Sequence, residues 1–83
     1  MKTCFVGSAE CLDQPIRYSL TVSLAEDEKE QYGVLVEYQD EQCSVPAITA
    51  SKEATLSLIE LMIRGAVTPV SVQEIVEDWL LQQ

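Results

Sequence analysis

The chain is 83 residues long, with fourteen acidic residues against five basic ones, no histidine and a formal net charge of −9. A single domain of this size buries only about 60% of its unfolded surface, which leaves little chain for a deep catalytic cleft. The charge repels phosphate backbones and anionic headgroups, so no direct binding of nucleic acid and no attachment to a membrane surface are expected.

Hydrophobic residues at 47% and charged residues at 23% are globular values and argue against disorder. No run approaches the roughly 18 apolar residues of a membrane span, and Met1 to Gly7 is too short for the apolar part of a signal peptide. A cytoplasmic location is the expectation. Three cysteines, Cys4, Cys11 and Cys43, with no C-x-x-C pair, fit a reducing compartment better than a disulfide framework. Without histidine the Cys/His sets of structural zinc sites cannot be assembled, and no metal or cofactor is expected. Cys43 reads as a small core residue; a redox role for Cys4 with Cys11 is the minority alternative.

In chain order, Thr3 to Val6 is compatible with a strand, but the polar stretch Gly7 to Gln14 is not. Residues 1–14 are therefore expected to be irregular and partly mobile, ahead of a single domain over 15–83. Ile16, Tyr18, Leu20, Val22 and Leu24 alternate with Arg17, Ser19, Thr21 and Ser23, the period of a strand with one face buried. After a charged connection, Ala25 to Gln31, the run Tyr32 to Tyr38 alternates again and completes an antiparallel hairpin. Gly33 suggests a bulge. A turn over Gln39 to Gln42 leads to a third strand near Cys43 to Ile48, where Pro46 removes a ladder donor and so belongs at a sheet edge.

Two helices follow. The first is expected to start at Ser51, with Glu53 in its first turn, and to stop at Gly65 in a left-handed conformation. Its apolar residues Leu56, Leu58, Ile59, Leu61, Met62 and Ile63 cover about twice the roughly 100° arc of an ordinary surface helix. Such a helix touches something on two sides: the sheet and the second helix, or else a homodimer or partner surface. The second helix is expected to begin at Ser71 with Glu74 reaching back as a capping box. Val72, Ile75, Val76, Trp79 and Leu80 form its apolar face, with Trp79 as core anchor. The fold class is thus α+β, a small antiparallel meander of three or four strands followed by two C-terminal helices packed on one face.

The acids gather as Glu26, Asp27, Glu28 and Glu30, then Glu37, Asp40 and Glu41, then Glu74, Glu77 and Asp78. One reading is solvation, since a net charge away from zero keeps a small domain soluble. The other is recognition of a basic surface on another protein, with Glu26, Asp27, Glu28, Glu30, Asp40, Glu41, Glu74 and Asp78 as the candidate contacts; imitation of nucleic-acid phosphates by an inhibitor is its special case. An enzyme is disfavoured because neither a Ser-His-Asp nor a Cys-His constellation can be built, and Gly7, Gly33 and Gly65 are too scattered for a phosphate loop. The region around Asp27 lacks the D-x-D-x-D-G pattern of a calcium loop.

The segments Arg17-Tyr18-Ser19-Leu20-Thr21-Val22, Tyr32-Gly33-Val34 and Thr68 to Leu80, the last with its Pro69 and its Val76-Glu77-Asp78-Trp79-Leu80 helix, resemble a family of small uncharacterised proteins of clostridia and related bacteria. The likeness runs from about Ile16 to Leu81. It implies an intracellular bacterial origin and a strand-then-helix domain, and supplies no catalytic residues. The expected function is a non-enzymatic, regulatory or accessory protein-binding domain, a monomer or a homodimer.

Overall fold

The alternation of β2 (Gln14–Leu24) sets the architecture. Ile16, Tyr18 and Leu20 point to one side and are fully buried, so that side must be covered, and two helices cover it. A computed structural model describes residues 2–82. β1 (Lys2–Cys11), β2, β3 (Glu30–Tyr38) and β4 (Glu41–Thr49) form one antiparallel sheet in the order β1-β2-β3-β4, followed by α1 (Lys52–Arg64) and α2 (Pro69–Leu81). This is an α+β meander with both helices against the sheet.

The N-terminal segment is a strand, contrary to the irregular stretch expected through residue 14. β1 pairs with β2 along its whole length, from Lys2 opposite Val22 to Cys11 opposite Gln14, with one irregularity between Phe5 and Gly7. The connection is the two-residue turn Leu12-Asp13, both at positive φ (52° and 66°), the left-handed pair that matches the twist of a tight hairpin. Leucine is an uncommon residue in that conformation, so the turn carries no Asn-Gly or Asp-Gly signature. Of the polar residues of Gly7 to Gln14, Ser8 and Glu10 are the exposed side of an edge strand, Asp13 lies in the turn and Gln14 opens β2.

At the other edge Pro46 lies in β4, as its missing donor requires. Register shifts between Tyr32 and Val34, where Gly33 faces a bulge containing Pro46 and Ala47 (φ 56°). A Cβ on Gly33 would lie 2.3 Å from the Val45 carbonyl oxygen and 2.6 Å from Pro46 Cα, so only glycine fits beneath the bulge. β4 is longer than the expected span, and its turn with β3 is only Gln39-Asp40.

The core joins Ile16, Tyr18 and Leu20 of β2 and Val34 and Val36 of β3 to Leu58, Ile59 and Met62 of α1 and Val72 and Val76 of α2. α1 lies across all four strands, whereas α2 rests on β3 and β4. Both helices pack on one face of the sheet, as expected, with less contact between the helices than the wide apolar arc of α1 implied. On the opposite, open face of the sheet, Arg17 lies over the Phe5 ring at 4.7 Å from its centroid, a cation–π contact to an aromatic that stays exposed.

The helix ends follow local chemistry. Ser51 caps α1, its side chain accepting from the Ala54 N–H at 3.2 Å. The other end departs from expectation: Gly65 has φ −89°, and Ala66 is the left-handed residue at φ 48°. Ala66 N–H donates to the Ile63 carbonyl at 3.1 Å and Val67 N–H to the Met62 carbonyl at 3.0 Å, the paired bonds of a Schellman stop. Alanine in that conformation costs about 1–2 kcal/mol. Packing of Ala66 and Val67 against the core offsets it, together with the Tyr18 hydroxyl, which donates to the Val67 carbonyl at 2.8 Å.

α2 starts before Ser71. Pro69 takes the first helical position, where its fixed φ is preorganised and its missing N–H costs nothing; its ring is buried. The N-cap is Thr68, whose side chain makes no capping bond. Ser71 lies inside the first turn, its backbone N–H donating to the Thr68 carbonyl at 3.1 Å, so the Ser71/Glu74 capping box does not form.

Candidate functional site

Packing both helices on the sheet leaves a cleft between their outer shoulders. Leu58, Leu61, Met62, Val67, Ile75 and Trp79 line it, with Asp78 and Gln82 at its rim, and its volume is about 240 Å³. The geometry follows from the helix period. In α2, Val72 and Val76 face the sheet, and Ile75 and Trp79, rotated from them by about one residue, face α1. In α1, Leu58, Ile59 and Met62 are buried, while Leu61 is 57% exposed at the cleft mouth. Here the wide apolar arc of the first helix finds its explanation. Part of it lies on the sheet and part lines an open cleft.

Trp79 packs against the edge of the core and is half-buried, so it is both a wall of the cleft and a support for α2. Leu80 turns away from the cleft and is 43% exposed, which removes it from the expected apolar face.

The eight acidic candidates all face solvent but do not converge. Glu26, Asp27 and Glu28 occupy the β2–β3 loop, with Glu30 opening β3. The loop is closed by Ala25 N–H donating to the Lys29 carbonyl and Glu28 N–H to the Ala25 carbonyl, both at 2.9 Å. Asp27 accepts from the Lys29 N–H at 3.2 Å, and its carboxylate lies 4.0 Å from Lys29 Nζ, an exposed pair of small energetic weight. Glu30 accepts from the Tyr32 hydroxyl, and this bond, ahead of burial, raises the Tyr32 pKa. Asp40 and Glu41 sit at the far end of β3, beside Pro69 and Val70 at the start of α2. Glu74 and Asp78 lie on α2, and Asp78 alone of the eight lines the cleft.

Two tyrosines donate hydrogen bonds to backbone carbonyls, Tyr18 beneath the cleft to Val67 and Tyr38 at the β1–β2 hairpin to Cys11. Burial, with a smaller contribution from Cys11, pushes Tyr18 up to about 12. Tyr38 donates to the Cys11 carbonyl at 3.0 Å, and burial is the main cause of its raised pKa. Cys11 and Cys43 are half-buried and pack against the core, and Cys4 is exposed. Cys4 and Cys11 lie on one strand seven residues apart, roughly 20 Å at strand rise, too far for a disulfide between them. Among the described residues no group of three or more Cys, Asp or Glu side chains is placed to hold a metal ion, and no helix is long and apolar enough to cross a membrane.

The arrangement defines a small α+β meander domain whose helical layer carries an apolar cleft edged by acid. The chain belongs to a family of unknown function (DUF6514), which it matches over residues 2–82. The match takes in the N-terminal segment that the resemblance from Ile16 onward left out. No curated protein and no solved structure gives a significant match.

Proposed function

We propose that this domain is a non-enzymatic, regulatory or accessory protein-binding module, working in the cytoplasm of a clostridial or related bacterium. The observation that carries the reading is the cleft, where Leu61 and Trp79 offer apolar surface beside the Asp78 carboxylate. Exposed apolar surface rimmed by polar groups marks interaction sites. The remaining acids steer a basic partner to it, an effect of net charge on association rate rather than on the contact itself. A phosphate-mimicking inhibitor would use a continuous row of carboxylates, and the dispersal of these acids over both ends of the sheet and α2 lends that alternative no support.

The test is affinity capture from the native host with mass spectrometry, followed by association kinetics for the protein recovered. Replacing Glu26, Asp27, Glu28 and Glu30 with glutamine should leave thermal stability unchanged or raised, because self-repulsion falls, while association slows and loses its salt dependence. Binding indifferent to both charge and salt would assign these acids to solvation alone.

A further inference from the structure

The cleft is smaller than the roughly 300–1,000 Å³ typical of small-molecule pockets, and its volume of about 240 Å³ admits one or two large side chains. Its lining runs from Leu58 to Met62 on α1 and from Ile75 to Gln82 along α2 and its C-cap, about one to two helical turns of each wall. A ligand that inserts one or two apolar anchors a turn apart between two helices is another helix, the groove-binding mode in which anchors recur at i and i+3 or i+4. Charge then chooses among helices. Asp78 lines the cleft and Glu74, one turn earlier, continues the same α2 edge; α2 has no Lys or Arg. α1 carries two acids, Glu53 and Glu60, balanced by two bases, Lys52 and Arg64, so the charge excess at the cleft comes from α2. A second copy of this chain would bring the same acids and a net charge of −9 against them. From this we infer that the cleft receives an amphipathic helix of a partner protein whose apolar stripe is flanked by Lys or Arg.

This inference rests on the protein-binding role and names its partner's chemistry. The probe is a synthetic Leu/Lys peptide of about eighteen residues, five helical turns, with its leucines on one stripe. Trp79, the sole tryptophan, reports from inside the cleft. Saturable binding with a blue-shifted emission is expected, weakened by salt, and Leu61→Asp should weaken it by at least about tenfold. Leu61 is 57% exposed, so the substitution should leave the fold intact, which circular dichroism checks. Equal binding of a Leu/Glu peptide with the same stripe, equal binding of a Leu/Lys peptide with its stripe scrambled, or indifference to Leu61→Asp would overturn the inference. So would a dimer in sedimentation that Leu61→Asp dissolves, which would give the cleft to self-association. If the host partner binds Leu61→Asp as it binds the wild type yet loses its salt dependence with the four glutamines, the protein-binding role stands and the cleft inference alone fails.

Discussion

α1 and α2 are equal in length, thirteen residues each, but are secured by different means. α1 has a side-chain cap, Glu53 at the positive end of its dipole, Arg64 at the negative end, a Schellman stop and contact with every strand. α2 has a proline start, no side-chain cap, no acid in its first turn, no base in its last, and rests mainly on two strands, β3 and β4. A thirteen-residue helix is marginal on its own, so α2 is helical because Pro69, Val72, Val76 and Trp79 hold it down. The contrast teaches that one wall of the cleft is built into the fold and the other is leaned against it. A partner helix seated there would add to the hold on α2.

The sharpest way to break the comparison is through the buried anchors. Ile59→Ala on α1, at a fully buried position, should cost roughly 2–5 kcal/mol, a large share of the stability of so small a domain. Val72→Ala on α2 removes less and should cost about 2 kcal/mol, from about 0.8 kcal/mol per methyl plus a small cavity. Urea unfolding of both variants checks the order, and a larger loss at Val72 would reverse the ranking of the two helices.

Trp79→Ala comes next. A fully buried tryptophan would cost roughly 3–5 kcal/mol, but Trp79 is half-buried at the cleft, and about 2 kcal/mol is expected. The variant should remain folded at room temperature with a lowered Tm. A largely unfolded variant would make the tryptophan a core clamp rather than a cleft wall.

The segment joining the helices is tethered by Tyr18, and pH tests that tether. Folding raises its pKa from 10.0 to about 12. Below pH 10 the phenol is protonated in both states and its contribution is complete. Between pH 10 and 12 the unfolded chain loses the proton first, so stability falls as pH rises. Tyr18→Phe should lose about 1 kcal/mol at neutral pH with the bond to Val67, and should show a shallower alkaline decline. Equal decline in both proteins would remove Tyr18 as its source.

The smallest effects sharpen the contrast at the helix ends. Ser51→Ala should cost about 1 kcal/mol, whereas Thr68→Ala, with no capping bond to lose, should fall within about 0.5 kcal/mol. Ala66→Gly relieves the left-handed alanine and should stabilise by about 0.5–1 kcal/mol after the extra backbone freedom of the unfolded chain is set against it. Thermal melts resolve all three.

Much of this architecture is legible in the sequence because periodicity reports burial. The alternation from Ile16 to Leu24, the bulge at Gly33, the edge position of Pro46 and the cap at Ser51 all follow from single residues acting locally. The structure departs from these expectations where tertiary contact overrides local preference. β1 carries no clear alternation because it is an edge strand interrupted by the irregularity at Phe5/Gly7, and its turn uses leucine. At the end of α1, packing of Val67 and the Tyr18 bond move the left-handed residue from Gly65 to Ala66. Ser71 matches a capping box, but Pro69 starts the helix earlier and consumes the signal. The cleft announced itself only as an excess of apolar arc, and Leu61 resolves it: a helix residue with no strand beneath it and only part of a neighbour beside it.

The bulge over Gly33 also governs how sheets of different copies can meet. Strand edges are templates, and a chain with two open edges can stack without end. Here Pro46 withholds a donor and the left-handed Ala47 bends β4 out of line, so that edge is closed to an incoming strand. The other edge is β1, itself interrupted between Phe5 and Gly7. Any edge-to-edge contact through it is self-complementary and ends after two copies, which denies this small acidic domain the route from sheet to fibre.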